Sequence, residues 1–317
     1  MKIAVLDAGT LGDDLSLSPL SAFGEVSVYR ETPPELVAAR ISDADIAVLN
    51  KVRLGAENLG EAKRLKLICI TATGFDNVDV AYCRSVGIGV VNVVGYSTDS
   101  VAQITLSLVL SLYSRLREYD AFVRTGAYSA GTAHNRLIPV YHELAGKTWG
   151  VVGYGNIGRK VAAVAKALGC RVVCTRKNAT GNEPDSVLPI EELLRVSDVV
   201  TLHVPLNDGT RNLISRERLS LMKPDAILVN AARGGVWDEA AVAEALLEGN
   251  LGGIGSDVYA VEPMAKDHPF SALAGSDRAI FTPHMAWGAY EARVRCLDDI
   301  CRSIRSFLSG GTRSRIV

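Results

Sequence analysis

The sequence predicts a two-domain α/β protein built on parallel sheets. Three observations predict it. Short apolar runs alternate with helical patterns along the whole chain, as they do when strands buried on both faces are joined by crossover helices. A Gly-x-Gly-x-x-Gly motif at Gly153, Gly155 and Gly158 lies in mid-chain, so the long stretch before it must form a domain of its own. Two long helical patterns, Thr98 to Leu116 and Gly288 to Leu308, stand where the chain would cross to a second domain and return. With 317 residues the chain is long enough for two cores.

The first domain is expected over residues 1–98 and 286–317 and the second over 99–285. In the first, apolar runs predict strands at Ile3–Leu6, Val26–Tyr29, Ile46–Leu49, Leu67–Ile70 and Val90–Val93, with a helix at Pro34–Ile41. The crossing pattern follows. Its most apolar part, Val101 to Tyr113, is broken by Gln103, Thr105, Ser107 and Ser111, and is too short and polar to span a bilayer. The polar, irregular stretch Thr125 to His142 reads as an excursion of the second domain, serving dimerisation or lying as a surface loop. Second-domain strands are expected at Thr148–Val152, Arg171–Cys174, Val199–His203, Ile227–Asn230, Gly253–Ser256 and Ala279–Phe281. Helices are expected from about Asn156 to a stop at Gly169, and at Ile190–Val196, Glu217–Leu221 and Glu239–Leu247. The last pattern carries apolar residues at Val294, Leu297, Ile300, Ile304 and Leu308, and returns the chain to the first domain. Two crossings imply a hinge with a ligand cleft between the lobes.

Composition narrows the function classes. The net charge of −1 argues against a nucleic-acid or membrane-surface role, which favour basic patches. The six cysteines form no Cys-x-x-Cys pair and most fall in apolar patterns, as reduced thiols of a cytoplasmic protein do. The start, Met1 to Asp7, reads as a short strand ending in an acid rather than as a leader. Histidines and cysteines are scattered, so no metal site is expected.

The glycine motif sits between the apolar run Val151-Val152 and an amphipathic helix pattern, the context of a dinucleotide site. The first glycine permits a tight turn, the second lets backbone approach a pyrophosphate, and the third lets helix pack on strand. Asn156 and Ile157 open the helix whose N-terminus would face the phosphates, so Gly153, Gly155, Asn156, Ile157 and Gly158 are cofactor-binding candidates in a Rossmann-type domain. Eighteen residues past Gly158, where an acid normally binds the ribose hydroxyls, stands Arg176, and no acid appears until Glu183. Thr175, Arg176 and Lys177 would attract a ribose 2′-phosphate that a carboxylate would repel. NADP(H) is therefore the expected cofactor, with NAD(H) possible as a second.

Further segments join this motif in order: Asn50-Lys51-Val52, Ala72-Thr73-Gly74-Phe75-Asp76-Asn77-Val78-Asp79, Ser100-Val101-Ala102-Gln103, His203-Val204-Pro205-Leu206, Val229-Asn230-Ala231-Ala232-Arg233-Gly234-Gly235, Ser256-Asp257 through Glu262-Pro263, and Thr282-Pro283-His284-Met285-Ala286-Trp287. Together they resemble the D-isomer-specific 2-hydroxyacid dehydrogenase family over nearly the whole chain, most closely its glycerate dehydrogenase and hydroxypyruvate or glyoxylate reductase branch. The resemblance implies a flavodoxin-like substrate domain beside the Rossmann domain, a homodimer built through the cofactor domains, and reversible reduction of small 2-oxo acids.

Reducing a 2-oxo acid needs a cation for the carboxylate, a proton donor for the forming alkoxide and a hydride source. Arg233 follows the apolar run Ile227–Asn230, at the carboxyl edge where ligands bind in open α/β sheets, and can hold a carboxylate and polarise the adjacent carbonyl. Histidine as a residue type can give and take a proton near neutral pH and so act in both directions, and His284 is the one histidine that falls in the family's catalytic motif. By resemblance Glu262 is its partner, a pairing that their separation of twenty-two residues does not itself disclose. By resemblance the backbone of Thr73 and Gly74 binds the substrate carboxylate, Asp257 accepts from the nicotinamide carboxamide, Ala231 lines the cofactor site, and His203 and Pro205 lie toward the adenosine. Lys51 is a further substrate contact or a solvated lysine. Trp287 walls the substrate pocket or packs on the return helix. Two alternatives stay open: a cofactor-sensing regulatory protein with little turnover, and a dehydrogenase of a larger or phosphorylated acid.

Overall fold

The computed structural model describes residues 1–178 and 185–317. It divides into two compact units, Met1–Ser97 with Gly288–Val317, and Thr98–Trp287.

The first unit holds five parallel strands, β1 (Lys2–Val5), β2 (Glu25–Val28), β3 (Ile46–Leu49), β4 (Leu67–Ile70) and β5 (Gly89–Val91), in the order β2-β1-β3-β4-β5. That is the flavodoxin-like order, whose switch point lies between β1 and β3. β3 and β4 are buried at every residue, as strands covered on both faces must be. The C-terminal helix Tyr290–Leu308 belongs to this unit and buries Leu297, Ile300 and Ile304. Of its expected apolar stripe, Leu308 is instead exposed at the helix end.

The second unit holds β6 (Thr148–Val152), β7 (Arg171–Thr175), β8 (Ser186–Val187), β9 (Val199–Leu202), β10 (Ile227–Asn230), β11 (Gly253–Ser256) and β12 (Ala279–Phe281). All are parallel, in the order β12-β11-β10-β9-β6-β7-β8. This is a doubly wound Rossmann sheet with its switch point between β6 and β9. Helix Asn156–Ala167 returns from β6 and stops at Gly169, whose φ of +83° suits glycine. β8 has two residues and no sequence signal distinguishes it.

The crossing helix departs from expectation. It runs Thr98–Tyr113, and a second helix, Leu116–Arg124, follows after Arg115 turns left-handed at φ +55°. The first buries Val101, Ala102, Leu108, Val109 and Leu112, while the second buries nothing. The apolar stripe continues in sequence past Leu112, but its burial does not: Leu116 is exposed. Ala286 and Trp287, expected in the first domain, fall in the second unit, where Ser100 Oγ donates to Ala286 O at 2.5 Å.

Candidate active site

Strand register in the second unit collects the candidate residues at one edge. Val152, Thr175, Leu202, Asn230, Ser256 and Phe281 pair in a single row across the sheet. The next residues along these strands are Gly153, Arg176, His203, Ala231, Asp257 and Thr282. Residues scattered from position 153 to position 282 thus meet at the carboxyl ends of the strands, where open α/β sheets bind ligands.

Each glycine of the turn has its own constraint. Gly153 has φ +95°, and a Cβ there would lie 2.7 Å from the His203 carbonyl. A Cβ on Gly158 would lie 2.1 Å from Gly153 O, so the helix packs directly on the turn. Gly155 faces open space, with nothing within 4 Å of an added Cβ. That bare backbone precedes Asn156 and Ile157, whose N–H groups open the helix and have no partner within it. A dinucleotide pyrophosphate fits this cradle. Beside the turn, Thr175 O accepts from Gly153 N at 3.0 Å, which places half-buried Arg176 and exposed Lys177 next to it. Glu183 lies outside the described residues. His203 donates its backbone N–H to Val152 O at 2.7 Å, and both ring nitrogens are buried without a partner. Burial pushes its imidazole down to about 3, so the ring is neutral. Pro205, two residues on, is exposed.

Arg233 ends a turn fixed by Asn230. The buried Asn230 side chain donates to Arg233 O at 2.9 Å and accepts from Ala232 N at 3.0 Å. Arg233 is half-buried, and its Nη1 donates to Ala232 O at 2.8 Å. The following Gly234 has no space for a side chain: a Cβ would lie 1.9 Å from Tyr259 C and 2.1 Å from Ala260 N. The Arg233 turn therefore lies in backbone contact with the loop that carries Glu262.

Glu262 and His284 meet directly, with His284 Nδ1 2.6 Å from Glu262 Oε2. The other Glu262 oxygen accepts from Tyr259 N at 3.1 Å. Both side chains are partly exposed, at 30% and 21%, which leaves the imidazole accessible. His284 adopts φ +52°, a left-handed conformation uncommon for a side chain of its size. Asp257 holds that turn. It is 1% exposed and accepts from Thr282 Oγ1 at 2.6 Å, Met285 N at 2.9 Å and Ala286 N at 3.0 Å. Burial pushes its carboxyl above the usual range, against the lowering effect of these three donors and of the nearby His284. Trp287, half-buried, closes the segment.

The first unit arranges its own candidates along its carboxyl edge. Asp7, beyond β1, is buried and accepts from Asn50 N, Lys51 N and Val52 N at 2.8, 2.6 and 3.0 Å, which fixes the loop carrying exposed Lys51. Thr73 Oγ1 donates to Val93 O at 2.8 Å, and Asn92 Nδ2 donates to Thr73 O at 2.7 Å. Asn77 ties the two loops together, donating to Asn50 O and Val52 O at 3.2 and 2.8 Å. Lys51, Thr73 and Gly74 thus share one edge. A cavity of about 660 Å³ opens beside it, lined by Asp7, Lys51 and Arg53 but also by Glu31, Glu35 and Glu57. The acids outnumber the bases, so this cavity does not suit a carboxylate substrate.

Asn230, Tyr259, Thr282, Glu239 and His268 support the site, and the sequence assigned none of them a role. Tyr259 donates to Thr282 O at 3.0 Å, and Glu239 accepts from Ala260 N at 2.9 Å. These contacts join segments far apart in the chain, so no spacing announces them. Among the described residues no cluster of three or more His, Cys, Asp or Glu could hold a metal ion, and no helix is long and apolar enough to cross a membrane. None of the six cysteines is in a disulfide, and all are buried.

Comparison with known proteins shows the family. Residues 106–286 match the family model described as D-isomer specific 2-hydroxyacid dehydrogenase, NAD binding domain. The chain is 36% identical over 310 residues to glycerate dehydrogenase of Methylorubrum extorquens, covering 98% of this chain and 96% of that one. It is 34% identical over 317 residues to hydroxypyruvate reductase of Blautia hydrogenotrophica, covering 98% of each. The crystal structure of the TT0316 protein from Thermus thermophilus superposes over 100% of both chains with a TM-score of 0.90 at 34% identity.

Proposed function

The chain belongs to the D-isomer specific 2-hydroxyacid dehydrogenase family, and from that premise we propose that it reduces small 2-oxo acids such as glyoxylate and hydroxypyruvate. The products are the corresponding 2-hydroxy acids, D-configured where the carbon is chiral, and the reaction is reversible. The single observation that carries the proposal is the 2.6 Å contact of His284 with Glu262, at the sheet edge that also bears the glycine turn.

A reduced nicotinamide, when bound, supplies the hydride that adds to the carbonyl carbon. Gly153, Gly155, Asn156, Ile157 and Gly158 would hold the pyrophosphate, with Ala231, His203 and Pro205 along the same edge. Asp257 has acceptor capacity beyond its three donors for a carboxamide N–H. Arg233 neutralises the substrate carboxylate and polarises the carbonyl, assisted by the Thr73–Gly74 backbone and Lys51. His284 delivers its Nε2 proton to the forming alkoxide, because Nδ1 is held by Glu262. In the reverse direction the neutral imidazole takes that proton back. Trp287 limits the size of the substrate.

The proposed cofactor preference is NADPH over NADH. Arg176 and Lys177, one and two residues beyond β7 and level with the glycine turn, support it. The proposed assembly is a homodimer through the second unit, where Leu137, Ile138 and Val140 leave 70%, 71% and 65% of their surface exposed. A reductase screen of glyoxylate, hydroxypyruvate, pyruvate and bulkier 2-oxo acids against both cofactors tests the reading. The highest kcat/KM is expected for glyoxylate and hydroxypyruvate with NADPH. Absence of turnover across the panel would sink it.

A further inference from the structure

We propose that Glu239, backed by His268, is a positioning residue for proton transfer: it holds the loop that presents Glu262 to His284. The inference rests on the roles proposed above for Glu262 and His284.

Glu239 is the first residue of helix Glu239–Leu247, yet neither of its oxygens caps that helix; Asp238 does so, accepting from Ala241 N at 3.0 Å. Both Glu239 oxygens point elsewhere. Oε1 accepts from Ala260 N at 2.9 Å, and Oε2 lies 2.9 Å from His268 Nε2. His268 Nδ1 accepts from Phe270 N at 3.1 Å, so its proton must reside on Nε2 and point at Glu239. The two side chains are 11% and 8% exposed. An acid so buried is costly unless its oxygens are satisfied, and here each has one fixed donor.

The two loop positions next to this clamp connect it to the proposed chemistry. Tyr259 N, one residue before the clamped Ala260, donates to Glu262 Oε1, and the opposite oxygen of Glu262 meets His284. The Tyr259 ring packs edge-on against His268, with centroids 5.8 Å apart at 88°, and its hydroxyl donates to Thr282 O at 3.0 Å. Thr282 O also accepts from His284 N at 3.0 Å. Loop 259–262 is thus fixed on one side by Glu239 and on the other by the turn that carries His284. Losing the Glu239–Ala260 bond releases the backbone beside Tyr259 N, the donor that holds Glu262 Oε1.

Glu239→Gln is the informative change. It keeps the shape but offers one acceptor to two donors, Ala260 N–H and His268 Nε2–H, so one bond must fail. The test is a double-mutant cycle in kcat with Glu262→Gln, with cofactor Kd measured by fluorescence titration. We expect Glu239→Gln to lower kcat about tenfold with cofactor Kd within about twofold, and the double variant to be no slower than Glu262→Gln alone. Multiplicative losses, or an unchanged kcat in Glu239→Gln, would overturn the proposal, since a merely structural acid does not act through Glu262. If Glu262→Gln itself keeps full kcat, the proposed role of the pair fails first and takes this inference with it. If Glu239→Gln does not fold, His268→Phe runs the same cycle, because it removes one of the two donors to Glu239: a roughly threefold loss that vanishes in the Glu262→Gln background supports the clamp, and an additive loss refutes it.

Discussion

Replacing Gly234 with alanine should disable the proposed site with a single added methyl group. The new Cβ would lie 1.9 Å from Tyr259 C, 2.1 Å from Ala260 N and 2.4 Å from Tyr259 O, whereas ordinary contact starts at 3.4 Å. The two backbones must therefore part by 1.5 Å (3.4 − 1.9) along that line. Neither neighbour is a side chain that can rotate away. Arg233 stands immediately before the contact, and Tyr259 N holds Glu262 from the other side at 3.1 Å. A displacement of this size breaks the 2.6 Å approach of Glu262 to His284 or moves Arg233 away from them. Misplacing reacting groups by about 1 Å costs about a hundredfold, so kcat/KM should fall at least that far. Overpacking costs about 1–3 kcal/mol, which lowers the thermal midpoint by a few degrees but leaves the chain folded. Gly275→Ala is the control, because an added Cβ there meets nothing within 4 Å. The assay is oxidation of reduced nicotinamide with glyoxylate and hydroxypyruvate, alongside circular dichroism. A Gly234→Ala enzyme within about threefold of the parent would refute the claim that this contact sets the geometry of the site.

Other predictions follow from the same edge. Arg176→Asp should erode the ratio of kcat/KM for NADPH over NADH by about tenfold to a hundredfold, the worth of a charge-assisted hydrogen bond; an unchanged ratio removes Arg176 from cofactor choice. His284→Ala should lower kcat by about a hundredfold or more with little change in KM; a loss through KM alone argues against proton transfer. His203, ordinarily near 6.5, is held down to about 3 by burial, so between these values only the unfolded chain takes up its proton. Its contribution to stability is therefore full above 6.5 and falls as the pH drops, by at most about 1.4 kcal/mol per unit. Urea unfolding of the parent and of His203→Gln at about pH 7.5 and pH 5.5 should show a smaller pH difference in the variant, and equal differences would contradict it. Sedimentation should give a dimer that Ile138→Asp converts to monomer; a parent that sediments as a monomer discards that assembly.

The sequence disclosed what depends on local spacing. The three glycines occupy positions whose constraints the structure reproduces one by one: a positive φ at Gly153, open space at Gly155, helix contact at Gly158. Apolar runs located the longer strands, because burial on both faces forces apolar residues at every position. β8 escaped notice because two residues carry no period. The break at Arg115 escaped because the apolar pattern outlasts the surface it packs on. The Glu262–His284 pairing came only through family resemblance, and the roles of Asp257, Tyr259 and Glu239 in holding it came from neither source. Those contacts run through backbone N–H groups of loops, and a backbone donor has no signature in the identity of its residue.

The arrangement around His284 bears on whether such a chain turns over substrate or only senses a cofactor. A sensor needs the glycine turn and a cation beside it. It has no use for an accessible imidazole in a left-handed conformation, which costs about 1–3 kcal/mol for a side chain of this kind. Yet the residues on both sides of His284 are tied to one buried carboxylate, Asp257, through Thr282, Met285 and Ala286. The ring itself is held by a second carboxylate on another loop. Burying Asp257 raises its carboxyl and is itself unfavourable, so two unfavourable features are combined at one position. The combination fixes the direction in which His284 Nε2 points and leaves it accessible. On the proposed mechanism a ring nitrogen fixed at the edge of a dinucleotide sheet is of use to hydride transfer, because the alkoxide that such a transfer forms must be protonated.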